Sequence, residues 1–168
     1  NVDDLALLNK PNKNAISEAH KVLQMLEAID EKLQITKQGR SLSKIPLHPR
    51  LSKIILSGAQ DAPLLASILS DADPLEHSRN TDIRLRLDAV KKIQIEKSNQ
   101  SGSIKLPIAK RILKEASRLS KYKVNKSNYT VGQLVALAYP DRIGKRRDGQ
   151  IPRYILSNGK GAVLAEND

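Results

Sequence analysis

Apolar positions along the chain recur mostly at helical spacing. "NKPNKN" (residues 9–14) reads as a turn in which Asn12 or Asn14 can cap the helix that follows. From Ala15 the apolar residues fall at Ile16, Ala19, Val22, Leu23, Leu26 and Ile29, the rhythm of a helix with one inward face. "DEKLQIT" alternates and predicts a short strand, after which Thr36 caps a short helix through Leu42. Leu-Ser-Lys-Ile then occurs twice, at 42–45 and 51–54, around Pro46-Leu47-His48-Pro49-Arg50. Four residues are too few for a structural repeat. Pro46 pushes Ile45 towards an extended backbone, and Pro49 suits the first turn of a new helix. The segment therefore predicts a rigid joint between two helices, the second facing inward with Leu51, Ile54 and Ile55 and ending near Gly58.

"DAPLLASILSDADP" predicts a well-buried helix capped by Asp61 and ended near Pro74. "TDIRLRLDAVKKI" continues helical, with Arg84 and Asp88 at pairing distance. Residues 97–103 read as a linker. Leu106, Ala109, Ile112, Leu113, Ala116 and Leu119 form the most regular stripe, and Thr130 with Gln133 fits a capping box before Leu134, Val135, Leu137 and Ala138. Pro140 stops that helix. "RYILS" and "AVLA" then predict strands joined by the turn "NGKG". The expected fold is mainly α, with a short β-hairpin or the start of a β domain at the C-terminus.

Charge changes the picture more than composition does. The formal net charge is +11, and residues 121–160 hold nine of the 29 Lys and Arg against two acids. Such a chain attracts polyanions, nucleic acid first and an anionic surface second. "DRIGKRRDG" offers Arg142, Lys145, Arg146 and Arg147, and Lys160 sits at the hairpin tip. Lys110, Lys114, Arg118 and Lys121 recur on one helical face. That row reads either as an ordinary solvated face or as a track for phosphates. With no Phe or Trp and four Tyr, platforms for stacking bases are scarce.

Several classes fall away. Cysteine is absent, which excludes disulfides and thiolate metal sites and suits the cytosol. No run is long and apolar enough to span a membrane. Gly159-Lys160 is followed by Gly161 rather than Ser or Thr, so no phosphate-binding loop is present. His20, His48 and His77 lack ligand spacing, and no catalytic or metal site is expected. Asn1 carries no leader pattern, and the chain reads as a piece of a longer protein.

Particular strings now carry a resemblance. Ala28-Ile29-Asp30, Ile35-Thr36, Gly39-Arg40 and Pro46-Leu47-His48-Pro49-Arg50-Leu51 occur in the order seen just after the motor domains of DEAH-box superfamily 2 helicases. "SDADPL", "DIRLRLDAV", "VALAYPDRIGKRR" and "RYILSNGKGAVL" are similar to the bacterial HrpB-type branch, so the likeness runs from 15 to 165. The resemblance implies a degenerate winged helix over 1–58, a helical ratchet-like bundle over 59–128 and the start of an oligonucleotide-binding (OB-like) β region over 129–168. It implies single-stranded RNA or DNA and the RecA-like motor domains of the same polypeptide as partners. ATP and Mg would belong to those motors, which these residues lack. "IEKSNQSGSIK" is more polar than the family suggests. The alternative is a free-standing winged-helix DNA-binding regulator, which would read bases with side chains such as Arg40, Ser41, Lys44 and Arg50.

Overall fold

A computed structural model describes residues 6, 8–96, 104–123, 126–149 and 151–164. Among the described residues, seven α-helices are followed by a three-stranded antiparallel sheet. The helices are α1 (Lys13–Met25), α2 (Lys37–Ser43), α3 (Pro49–Leu56), α4 (Ala62–Ser70), α5 (Ile83–Glu96), α6 (Leu106–Leu119) and α7 (Val131–Ala138). The strands, in spatial order, are β1 (Gly144–Arg146), β2 (Arg153–Leu156) and β3 (Gly161–Val163). The predicted linker 97–103 lies outside the described residues.

Asn12 caps α1, its side chain accepting the Ala15 N–H at 2.7 Å. The helix stops at Met25, short of the expected Ile29, because Glu27 turns the backbone at φ +58°. Its apolar face is only half-buried, and the sealed residues are Leu26 and Ala28 just beyond it. "DEKLQIT" is a tight loop rather than a strand. One carboxylate oxygen of Asp30 accepts the N–H groups of Lys32 (2.9 Å) and Gln34 (2.8 Å), Leu33 sits at φ +60°, and only Ile29 and Ile35 pair across it. Its alternating Leu33 and Ile35 stay exposed, so the period-2 pattern there marked no buried face.

Thr36 caps α2 through the Gly39 N–H at 2.9 Å, and its own N–H donates to the Ala28 carbonyl at 3.0 Å. Gly39 is buried directly on that carbonyl, where any Cβ would collide with the oxygen. Close backbone approach is therefore the physical content of the Gly-Arg pair.

The joint forms as expected. Ile45 is buried, His48 is extended (φ −55°, ψ 138°), and Pro49 opens α3. The His48 Nδ1 accepts the Arg50 N–H at 3.2 Å, so the histidine is a cap. The two Leu-Ser-Lys-Ile strings thus occupy different geometries, one closing α2 and one inside α3.

Asp61 does not cap α4. It makes no capping bond and pairs with Lys91 of α5 at 2.8 Å. Ala62 through Ile68 are all buried, and the helix ends at Ser70. The expected Arg84–Asp88 pair also fails to form. Arg84 reaches back to Asp82 at 2.5 Å, because Asp82 is already held at the start of α5 by the Arg84 N–H at 2.9 Å. That contact pushes the Asp82 carboxyl down to about 2.

One large apolar core runs from Ile45 to Ala138 and includes Ile54, Leu65, Val90, Ile112, Leu119 and Leu134. A small second one joins Leu26, Ala28 and Leu42, and Leu56 packs on both. α7 carries the predicted capping box, with both reciprocal Thr130–Gln133 bonds. Beyond it no described strand residue is buried.

Candidate nucleic-acid interface

Pro140 ends α7 and leads into a single 3-10 turn, Pro140–Arg142. There Asp141 is buried and receives both arms of Arg50, Nη1 to Oδ1 at 2.6 Å and Nη2 to Oδ2 at 2.9 Å. Arg50 Nη1 also donates to the Ala138 carbonyl at 2.8 Å, satisfying an otherwise orphaned helix-end oxygen. A planar fork matched to a carboxylate is the geometry in which Arg pairs best when buried. The Arg50 hydrogen bond, outweighing desolvation, holds the Asp141 carboxyl below the ordinary aspartate range. Tyr139 lies beneath two cations, Arg50 at 5.0 Å and Arg142 at 5.2 Å from the ring centre. Arg50 is therefore structural, which removes one of the four side chains named for the regulator reading.

The chain then enters β1, the strand that the polarity of "GKRR" conceals. Lys145 pairs with Ile155 and Arg146 with Tyr154, while Arg153 faces Val163. The Arg147 N–H donates to the Arg153 carbonyl at 2.8 Å, extending the ladder by one residue. Alternation along the pleat then sorts the basic segment onto two sides. Lys145, Arg147, Arg153, Ile155 and Val163 share one face, and all are exposed. Arg146 shares the other with the half-buried Tyr154, Leu156 and Ala162. Among the described residues none of Lys145, Arg146, Arg147 and Arg153 has an ion-pair partner. Arg153 is the basic residue that sequence reasoning counted but did not assign to the site. Only the strand register reveals its place beside Arg147.

Lys160 lies in the turn after β2, where Gly159 adopts φ +81° and the Lys160 N–H bonds the Asn158 side chain at 3.0 Å. It approaches Glu18 of α1, whose carboxyl is lowered chiefly by Lys21 and slightly by Lys160. Lys110 and Lys114 stand exposed on α6, separate in the chain from the sheet. Arg118 is spent locally on Glu115, through both carboxylate oxygens at 2.9 and 2.7 Å. Lys121 falls beyond the end of α6, in the 3-10 turn Ser120–Tyr122, and lies over the Tyr122 ring at 4.9 Å. The α6 row is thus less uniform than its spacing suggested.

Among the described residues no group of three or more His, Cys, Asp or Glu side chains is placed to hold a metal ion. No described helix is long and apolar enough to cross a membrane.

The winged-helix family "Helicase associated domain (HA2)" matches residues 19–47, from within α1 to the proline joint. The ATP-dependent RNA helicase HrpB of Escherichia coli is 28% identical over 98% of this chain, which spans 18% of that protein. The probable ATP-dependent RNA helicase DHR1 of Saccharomyces cerevisiae is 37% identical over 44% of this chain and 6% of its own length. The crystal structure of the E. coli DExH-box NTPase HrpB superimposes with a TM-score of 0.71 and 26% identity, over 100% of this chain and 19% of that one. A second HrpB structure, titled a DEAH/RHA helicase, gives 0.66 and 26% over 95% and 19%. The chain spans less than a fifth of the length of these relatives. On these matches the chain is homologous to the helicase-associated, C-terminal region of ATP-dependent RNA helicases of the HrpB type.

Proposed function

We propose that this chain is an accessory module of an ATP-dependent helicase and binds single-stranded RNA or DNA beside RecA-like motor domains of the same polypeptide, in the cytosol. In this reading residues 1–58 are the winged helix, 59–128 the ratchet-like bundle and 129–168 the start of an OB-like region. ATP and Mg act in the motors.

One observation carries the reading. Lys145, Arg147 and Arg153 crowd one exposed sheet face without a carboxylate partner among the described residues. Like charges across neighbouring strands repel, and a polyanion relieves that cost. Ile155 and Val163, exposed beside them on the same face, offer apolar contact without base-reading donors, so weak sequence preference follows. Arg142 and Arg146 extend the cationic surface, and Lys160, Lys110, Lys114 and Arg118 are its outlying candidates.

Anisotropy titrations with labelled single-stranded RNA and with duplex DNA test the reading. The module binds the single strand more tightly, with little dependence on sequence. Tight, sequence-selective duplex binding would instead establish the regulator alternative.

A further inference from the structure

No described residue of the sheet is buried, so an apolar core does not set its orientation. Polar ties do. The Ser157 N–H donates to the Ile143 carbonyl at 2.9 Å, the Asn158 N–H to the Asp141 carbonyl at 3.3 Å, and the Ser157 hydroxyl to the Pro140 carbonyl. All three fasten the hairpin to residues 140–143. That turn is in its turn held by Arg50, from the proline joint 91 positions earlier in the chain. The guanidinium grips Asp141 in two places, bonds the Ala138 carbonyl, and lies over the same Tyr139 ring as Arg142.

We propose that the Arg50–Asp141 pair is a positioning element for nucleic-acid binding, fixing Arg142 and the direction of the cationic sheet relative to the helices. This rests on the reading of the sheet as the interface. The two residues need touch no nucleic acid. They couple the α2–α3 joint to the surface that does, so a movement of one is transmitted to the other through the Arg50 contacts.

The chain has no cysteine, so labels can be placed at will. Spin labels at Ser117→Cys on α6 and Val163→Cys on β3, both exposed, report the distance between helices and sheet. The parent gives one narrow distribution. Asp141→Asn broadens it while helical circular dichroism is kept, and Arg50→Lys does the same should the first variant prove unstable. In the unlabelled chain either change weakens single-stranded RNA binding on the order of tenfold, a typical size for coupling between sites. A double-mutant cycle separates positioning from folding. The loss shrinks to under about twofold when Lys145, Arg147 and Arg153 are already Ala, because the pair acts through them. Unchanged distances, or an equal loss in both backgrounds, overturn the positioning claim. Absence of binding by the parent chain overturns the interface reading instead, and the distances are read independently of it.

Discussion

The helices and the sheet of this chain are held by different forces. Every buried apolar residue from Leu26 to Ala138 lies in the helical part, and the three strands have none among the described residues. The helices are stabilised by area removed from water, roughly 25 cal/mol per Å² of apolar surface. The sheet is oriented by a few hydrogen bonds and one buried ion pair. The difference shows how a cation-laden surface can be kept open: its strands avoid the core, and their position is set from one corner.

The comparison breaks most sharply at that corner. Arg50→Met leaves the buried Asp141 carboxylate uncompensated, and unpairing such a charge costs roughly 3–5 kcal/mol. Thermal unfolding shows the drop. Its pH dependence sharpens the point. Pairing lowers the folded Asp141 below the ordinary 3.8, so its contribution is fully present above that pH and is lost as the pH falls through the folded value. Parent and Arg50→Met stabilities therefore converge in acid and diverge towards neutrality. Parallel curves would contradict the assignment.

Within the helices, Gly39→Ala forces α2 off the Ala28 carbonyl. Overpacking of this kind costs about 1–3 kcal/mol, read as a lower denaturant midpoint. A smaller loss, about 1 kcal/mol, follows Thr130→Ala at the cap of α7. Replacing Lys145 and Arg147 by Ala should leave stability within about 0.5 kcal/mol, since these exposed side chains have no ion-pair partner among the described residues.

The same division explains what the amino-acid pattern revealed. Where burial dictates the pattern, at Leu51, Ile54, Ile55 and along Ala109, Ile112, Ala116 and Leu119, helices were legible. So were the caps at Asn12, Thr36 and Thr130, each a side-chain oxygen placed just before a helix. The Leu33–Ile35 alternation misled because no core faces it. Asp61 and Arg84 chose partners outside their own helix spacing, which local rules do not see. β1 was hidden because "GKRR" has no apolar period, and Arg153 joined the candidate site only through register. The homology to HrpB-type helicases was legible from "PLHPRL" and "YPDRIGKRR". That the Arg of the first string grips the Asp of the second was not, since nothing local links positions so far apart.

The most direct test of the cationic sheet is the salt dependence of single-stranded RNA binding. With Arg142, Lys145, Arg147 and Arg153 changed to Ala, the slope of log K against log salt flattens by about 0.7 per lost phosphate contact, a total of about 2–3. An unchanged slope, with affinity retained, would contradict the account and place the nucleic acid on another surface.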